Sequence, residues 1–171
     1  MGEADIAIAI ANARSYLAAN PADARYRDSS ATATVEDGLR VKVSGADGSA
    51  LVTDMVTAVG GGGSAPSPGW MFRAAYASCV ATLIAMHAAE EGWSLSALEV
   101  TVDSESDDRG ILGISSEVPA GPISVGIAVK ATVPGVDPGV VRTTIETAIS
   151  RCPVHDTVTR PVPVEVEVRV S

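Results

Sequence analysis

A chain of 171 residues argues for one domain, and its 46% apolar share excludes disorder and fibrous repeats. Twelve Lys and Arg against 21 Asp and Glu leave a net charge of −9, a field that repels phosphate and excludes nucleic acid and anionic membrane surfaces as default partners. One Phe, two Trp and three Tyr leave the core to Ala, Val, Ile and Leu, and two cysteines 73 positions apart do not make a disulfide-dense secreted scaffold.

Residues 4–19 read as an opening helix, Ala-rich and stopped by Asn20-Pro21. Its apolar run Ile6–Ile10 follows Glu3 and Asp5 rather than Lys or Arg, which is wrong for a secretory signal, and Ile6 stands where myristoylation needs Ser or Thr. A soluble cytoplasmic protein is expected. Ala31–Val35 and Leu39–Ser44 are β-like around Glu36-Asp37-Gly38, an Asp-Gly hairpin signal. A second turn, Gly45–Gly48, leads into Ala50–Met55, so the three segments form a meander. Gly60–Gly63 and Ser64–Pro68 read as a mobile loop; no Gly-Lys-Ser/Thr follows, which argues against a phosphate-binding loop.

The next helix, Gly69 to Glu91, is apolar nearly all round, the mark of a helix buried on most faces. Its apolar stretch Met71–Ala89 is broken by Arg73, Ser78, Thr82 and His87 and falls short of a membrane span. Strands are expected at Ala97–Ser104, Ile111–Ser115 and Ile123–Val133. A helix follows from Asp137-Pro138 to about Arg151, and Val162–Val170 alternates throughout as a half-buried strand. The class is α+β. One sheet covers only one side of a helix that lacks a polar face, so a second copy is expected on the other side, in an intertwined homodimer.

Chemistry has few candidates. Cys79 shares a helical face with Phe72, Tyr76, Val80 and Leu83, where a cysteine is either a small hydrophobe or a nucleophile. Cys152 stands in Arg151-Cys152-Pro153-Val154-His155, at a break between helical turns where free N–H groups and Arg151 favour thiolate; an inert buried cysteine is the other reading. A metal shared by Cys79, His87, Cys152 and His155 is disfavoured, because eight residues of helix carry His87 about 12 Å from Cys79. His155 is expected at the surface or as a cap. No Gly-x-Ser-x-Gly elbow supports a hydrolase.

Ser67-Pro68-Gly69-Trp70-Met71-Phe72-Arg73-Ala74-Ala75-Tyr76-Ala77-Ser78-Cys79, with Val133-Pro134-Gly135-Val136-Asp137 and Arg151-Cys152-Pro153-Val154, resembles the OsmC/Ohr family. The order of elements agrees over about residues 30–170. The resemblance implies residues 29–171 as an OsmC-like domain behind an N-terminal helical extension, 1–28. It implies an antiparallel sheet packed on long buried central helices in an intertwined homodimer. It also implies a cofactor-free and metal-free thiol peroxidase of organic hydroperoxides, recycled by a dithiol reductant. Cys79 would be the peroxidatic thiolate and Cys152 the resolving thiol. The activating cation would be Arg40, from the N-terminal hairpin, or Arg73 on the helix itself. Typical members carry Asn-Pro-Glu before the first-Cys helix, where this chain has Pro68-Gly69-Trp70, so the arginine is expected to lack an orienting carboxylate and to be mobile. The alternative function is a non-catalytic dimer that binds a small apolar ligand beside Cys79.

Overall fold

The structure is a computed structural model that describes residues 2–170. The chain opens with α1 (Glu3–Ala19) and then forms the antiparallel meander β1 (Ala31–Asp37), β2 (Arg40–Gly45) and β3 (Ala50–Thr53), in the order β1-β2-β3. The predicted hairpin forms: Gly38 takes φ 54°, which the two-residue reversal requires, and Val41 and Val43 alternate along β2. Strand β1 is exposed along its whole length.

The Gly-rich segment is a tied loop rather than a mobile one. Gly61 and Gly63 donate to the carbonyls of Val56 and Met55, and Gly62 donates to the Asp54 side chain. A Cβ on Gly61 would stand 2.0 Å from the Met55 carbonyl oxygen, so only glycine lets the loop fold this closely on itself.

Helix α2 (Pro68–Glu90) begins where Ser67 accepts the Trp70 N–H and Pro68 presets the first turn; Gly92, at φ 68°, follows its end. Its buried stripe is Tyr76, Val80, Ile84 and Ala88, spaced by four. It is long and apolar enough to cross a bilayer, yet it packs on β4 (Ala97–Glu105), α1, α4 (Pro138–Ser150) and α5 (Pro153–Thr159). Within one chain full burial reaches this stripe and Ala89, while Ala75, Ser78 and Thr82 lie exposed.

Strand β4 pairs antiparallel with β5 (Ser124–Thr132), in register Val100 to Val129 and Val102 to Ile127. Leu98, Val100, Val102, Ile127 and Val129 turn their side chains to the core. Asp137 caps α4 by accepting from Gly139 and Val140, and Ala148 is the fully buried point of that helix.

Two predicted strands do not form. In place of Ile111–Ser115 there is a helical turn, α3 (Asp108–Ile111), which Asp107 nucleates by capping the Arg109 N–H. Residues 161–170 are unpaired, with Val164, Val166 and Val168 all more than three-quarters exposed. A strand needs a neighbouring edge, and within one chain this segment meets none.

Candidate functional site

Helix α2 carries Cys79 half-buried at its middle, and the joint between α4 and α5 carries Cys152. Cys152 is wholly buried. Its N–H closes the last turn of α4 on the Ile149 carbonyl, and its carbonyl accepts from Asp156 in the first turn of α5. Pro153 prevents the two helices from running on as one. This joint turns Cys152 back against α2, into the buried cluster against which Cys79 packs. Both cysteines are free thiols.

Burial pushes the Cys152 thiol above its ordinary pKa, and the Cys79 side chain pushes it further; the N–H groups of His155 and Val154 pull it down and are outweighed. The expectation of a thiolate at this position is therefore corrected. Arg151 points to solvent, and desolvation wins over two backbone donors. Near neutral pH Cys152 keeps its proton.

His155 is not a free surface residue. Its Nδ1 lies 2.5 Å from the hydroxyl of Tyr76, which is 2% exposed and belongs to the same buried cluster as Cys152. Burial, and then the nearby Cys152, raise the tyrosine pKa, so the phenol stays neutral. Phe72 meets Tyr76 edge-on with ring centroids 6.1 Å apart. Sequence reasoning placed Tyr76 only as a face-mate of Cys79. The further signal was that His155 follows Cys152 by three residues, as Tyr76 precedes Cys79 by three.

The two arginines lie elsewhere. Arg40 donates to the Ser64 hydroxyl at 2.7 Å and pairs with Glu36 at 3.3 Å. Ser64 in turn donates to Asp54, a buried carboxylate that also accepts the N–H groups of Met55, Gly62 and Ser64. The Ser64 backbone N–H, then its hydroxyl, hold the Asp54 carboxyl below the ordinary range. Arg40 is thus oriented by Glu36 directly and by Asp54 through Ser64, which corrects the expectation of a mobile arginine lacking an orienting carboxylate. Arg73 points to β4, donating to Ser104 at 3.2 Å. It lines a cleft of about 340 Å³ at the start of α2, together with Phe72, Met55, Asp108 and Ile111. Neither guanidinium is bonded to a cysteine within one chain.

The OsmC-like protein family model matches residues 61–167. No curated protein matches the chain. Solved structures share its fold at low identity. An OsmC-like protein from Mycoplasma pneumoniae superposes with TM-score 0.66 at 12% identity, over 79% of this chain and 89% of that one. An organic hydroperoxide resistance protein OsmC from Legionella pneumophila gives 0.58 at 23%, over 78% and 90%. An organic hydroperoxide resistance protein from Elizabethkingia anophelis, solved with thiocyanate bound, gives 0.58 at 20%, over 80% and 91%. The matched segment spans more than half the chain and contains α2, both cysteines and the joint that buries Cys152, and on that ground the chain belongs to the OsmC-like family.

Proposed function

We propose that this protein is a thiol-dependent peroxidase of organic hydroperoxides, in which Cys79 reacts and Cys152 resolves. The observation that carries this reading is that Cys79 packs against the buried cluster holding Cys152, although 73 residues of sequence separate them. Their unequal burial supports the division of roles: Cys79 is reachable, whereas Cys152 is sealed and protonated.

The Cys79 thiolate attacks one peroxide oxygen and the O–O bond breaks. The alkoxide leaves, takes a proton and becomes an alcohol, while Cys79 becomes a sulfenic acid. Cys152 then attacks the Cys79 sulfur, its proton departs with the hydroxide as water, and a disulfide remains. A dithiol reductant restores both thiols by exchange and is itself oxidised to a disulfide. The half-buried apolar face of α2 around Cys79 suits a greasy hydroperoxide.

The working unit is an intertwined homodimer. The chain alone exposes 12,085 Å², about half as much again as the roughly 7,800 Å² expected for a compact chain of this length. The excess is on the scale of an obligate interface. Arg40, which bonds Glu36 and Ser64 and no cysteine of its own chain, would activate a thiol across that dimer. Residues 29–171 are taken as the OsmC-like domain of a soluble cytoplasmic enzyme, with residues 1–28 as an extension tied back by Arg14 to Glu90 on α2.

The test is consumption of cumene hydroperoxide in stopped flow with a dithiol reductant, abolished by Cys79→Ser. Absence of consumption, with an apolar dye still bound at the cleft beside Phe72 and Arg73, would instead favour a non-catalytic binding protein.

A further inference from the structure

The hydrogen bond between Tyr76 and His155 takes no part in the steps of peroxide reduction, yet it borders both thiols. A buried phenol hydroxyl needs a partner, and here the partner comes from 79 residues away. The two residues occupy matching positions. Tyr76 precedes Cys79 by three on α2, and His155 follows Cys152 by three in the first turn of α5. Helical residues three apart are neighbours on one face, so the bond runs alongside the pair of thiols with one anchor on each element.

Besides this bond, helix α5 is held on the core by the partly buried Val154. It has seven residues, none of them fully buried, and its ion pair, Asp156 to the C-cap residue Arg160, ties it only to its own end. Disulfide formation tolerates little drift, because the Cα atoms must come within about 7 Å with the Cβ vectors converging.

We propose that Tyr76 and His155 are positioning residues for the resolving step: their hydrogen bond fastens the first turn of α5 to α2 and keeps the Cys152 sulfur within bonding reach of Cys79. The proposal rests on the thiol-peroxidase reading for its biological use. The step it serves forms the S–S bond, breaks the S–O bond of the sulfenic acid and releases water. If that step lags, a second hydroperoxide converts the waiting sulfenic acid to sulfinic acid, with its own reduction to an alcohol.

The experiment uses the full-length chain with Tyr76→Phe, His155→Ala, His155→Asn and the double variant Tyr76→Phe/His155→Ala. Tyr76→Phe removes one oxygen and preserves the ring, so folding is retained. Cumene hydroperoxide is the oxidant for the first measurement, with loss of the Cys79 thiol followed in stopped flow and the products resolved by mass spectrometry. The first step is expected to stay within about twofold of the parent. Disulfide closure should slow by about tenfold or more in Tyr76→Phe and His155→Ala, with sulfinic acid accumulating. The double variant should be no slower than either single one, since both remove one bond. His155→Asn, which places an acceptor near the position of Nδ1, should recover most of the rate.

Diamide provides the second measurement. It draws two electrons and two protons from a dithiol and closes the same disulfide without peroxide. Slower closure by diamide in the variants supports the clamp even if the parent ignores peroxide, an outcome that would remove the peroxidase reading alone. Closure at the parent rate under diamide overturns the clamp, as does a double variant whose slowing is the product of the two single effects.

Discussion

Arg40 donates from Nη1 to the Ser64 hydroxyl at 2.7 Å, linking the first hairpin to the loop that precedes α2. Because Ser64 is itself fixed by Asp54, the guanidinium has a defined direction although position 69 is glycine. With Arg40 reaching Cys79 across the proposed dimer, Arg40→Ala is expected to slow iodoacetamide alkylation of Cys79 by about tenfold, since thiolate is the reacting form and a cation beside it favours it. Ser64→Ala should give part of that loss. Arg73→Ala should leave the rate unchanged, because Arg73 is engaged with Ser104. A loss with Arg73→Ala alone would transfer the role to the helix arginine.

Asp54 gives the fold an acid limit. Its carboxyl is held below the ordinary value of 3.8, so the folded state binds the proton less readily than the unfolded chain. Its contribution is complete above that ordinary value and is lost as pH falls through the lowered one. Asp54→Asn should lower Tm by several degrees at neutral pH and flatten the fall in Tm at acid pH. It should also speed hydrogen exchange at the Gly62 and Ser64 amides, which Asp54 now binds. Thermal scans across pH and amide exchange check both.

Cys152 sets a limit at the other end. Its thiol is raised above the ordinary value of 9.0, so the stability it contributes is present below that value and is lost as pH rises through the folded one. In the native protein at neutral pH, iodoacetamide should label Cys79 at least about tenfold faster than Cys152, because reaction requires an accessible thiolate. Unfolding should equalise the two. Peptide mapping after timed alkylation reads the ratio.

Ile84 sits on the buried stripe of α2 at 3% exposure. Ile84→Ala should destabilise by about 2–5 kcal/mol through lost burial and a residual cavity. Denaturant titration measures it, and a value below the range would mean that the stripe is not the core.

Light scattering at micromolar concentration should give twice the chain mass, and Tm should rise with protein concentration. A monomer under these conditions would remove the dimer and, with it, the reach of Arg40 to a cysteine.

Much of this architecture was written locally. Ser67-Pro68 and Gly92 bracket α2, Asp137-Pro138 starts α4, and the alternation of Leu98, Val100 and Val102 marks β4. Local pattern fails where the deciding partner is distant. Val162–Val170 has the period of a strand and finds no edge; Ile111 has the residue type of one, and the cap from Asp107 overrides it. At the site, the cysteine motifs are legible because they are contiguous. The Tyr76–His155 bond crosses 79 residues and shows locally only in the matched spacing of each residue from its cysteine, while the Asp54 network joins three separate segments and leaves no local trace.

The unpaired segment after α5 has a consequence for handling the protein. Val162, Val164, Val166, Val168 and Val170 line one side, and Pro163, Glu165, Glu167 and Arg169 alternate on the other. With the valines from 40% to 91% exposed, this is a template onto which another chain can add backbone hydrogen bonds indefinitely. The two glutamates stand in the way, because identical segments stacked in register would place like charges directly opposite one another. Neutralising Glu165 and Glu167 would remove that guard and turn the unpaired segment into a nucleus for fibrils.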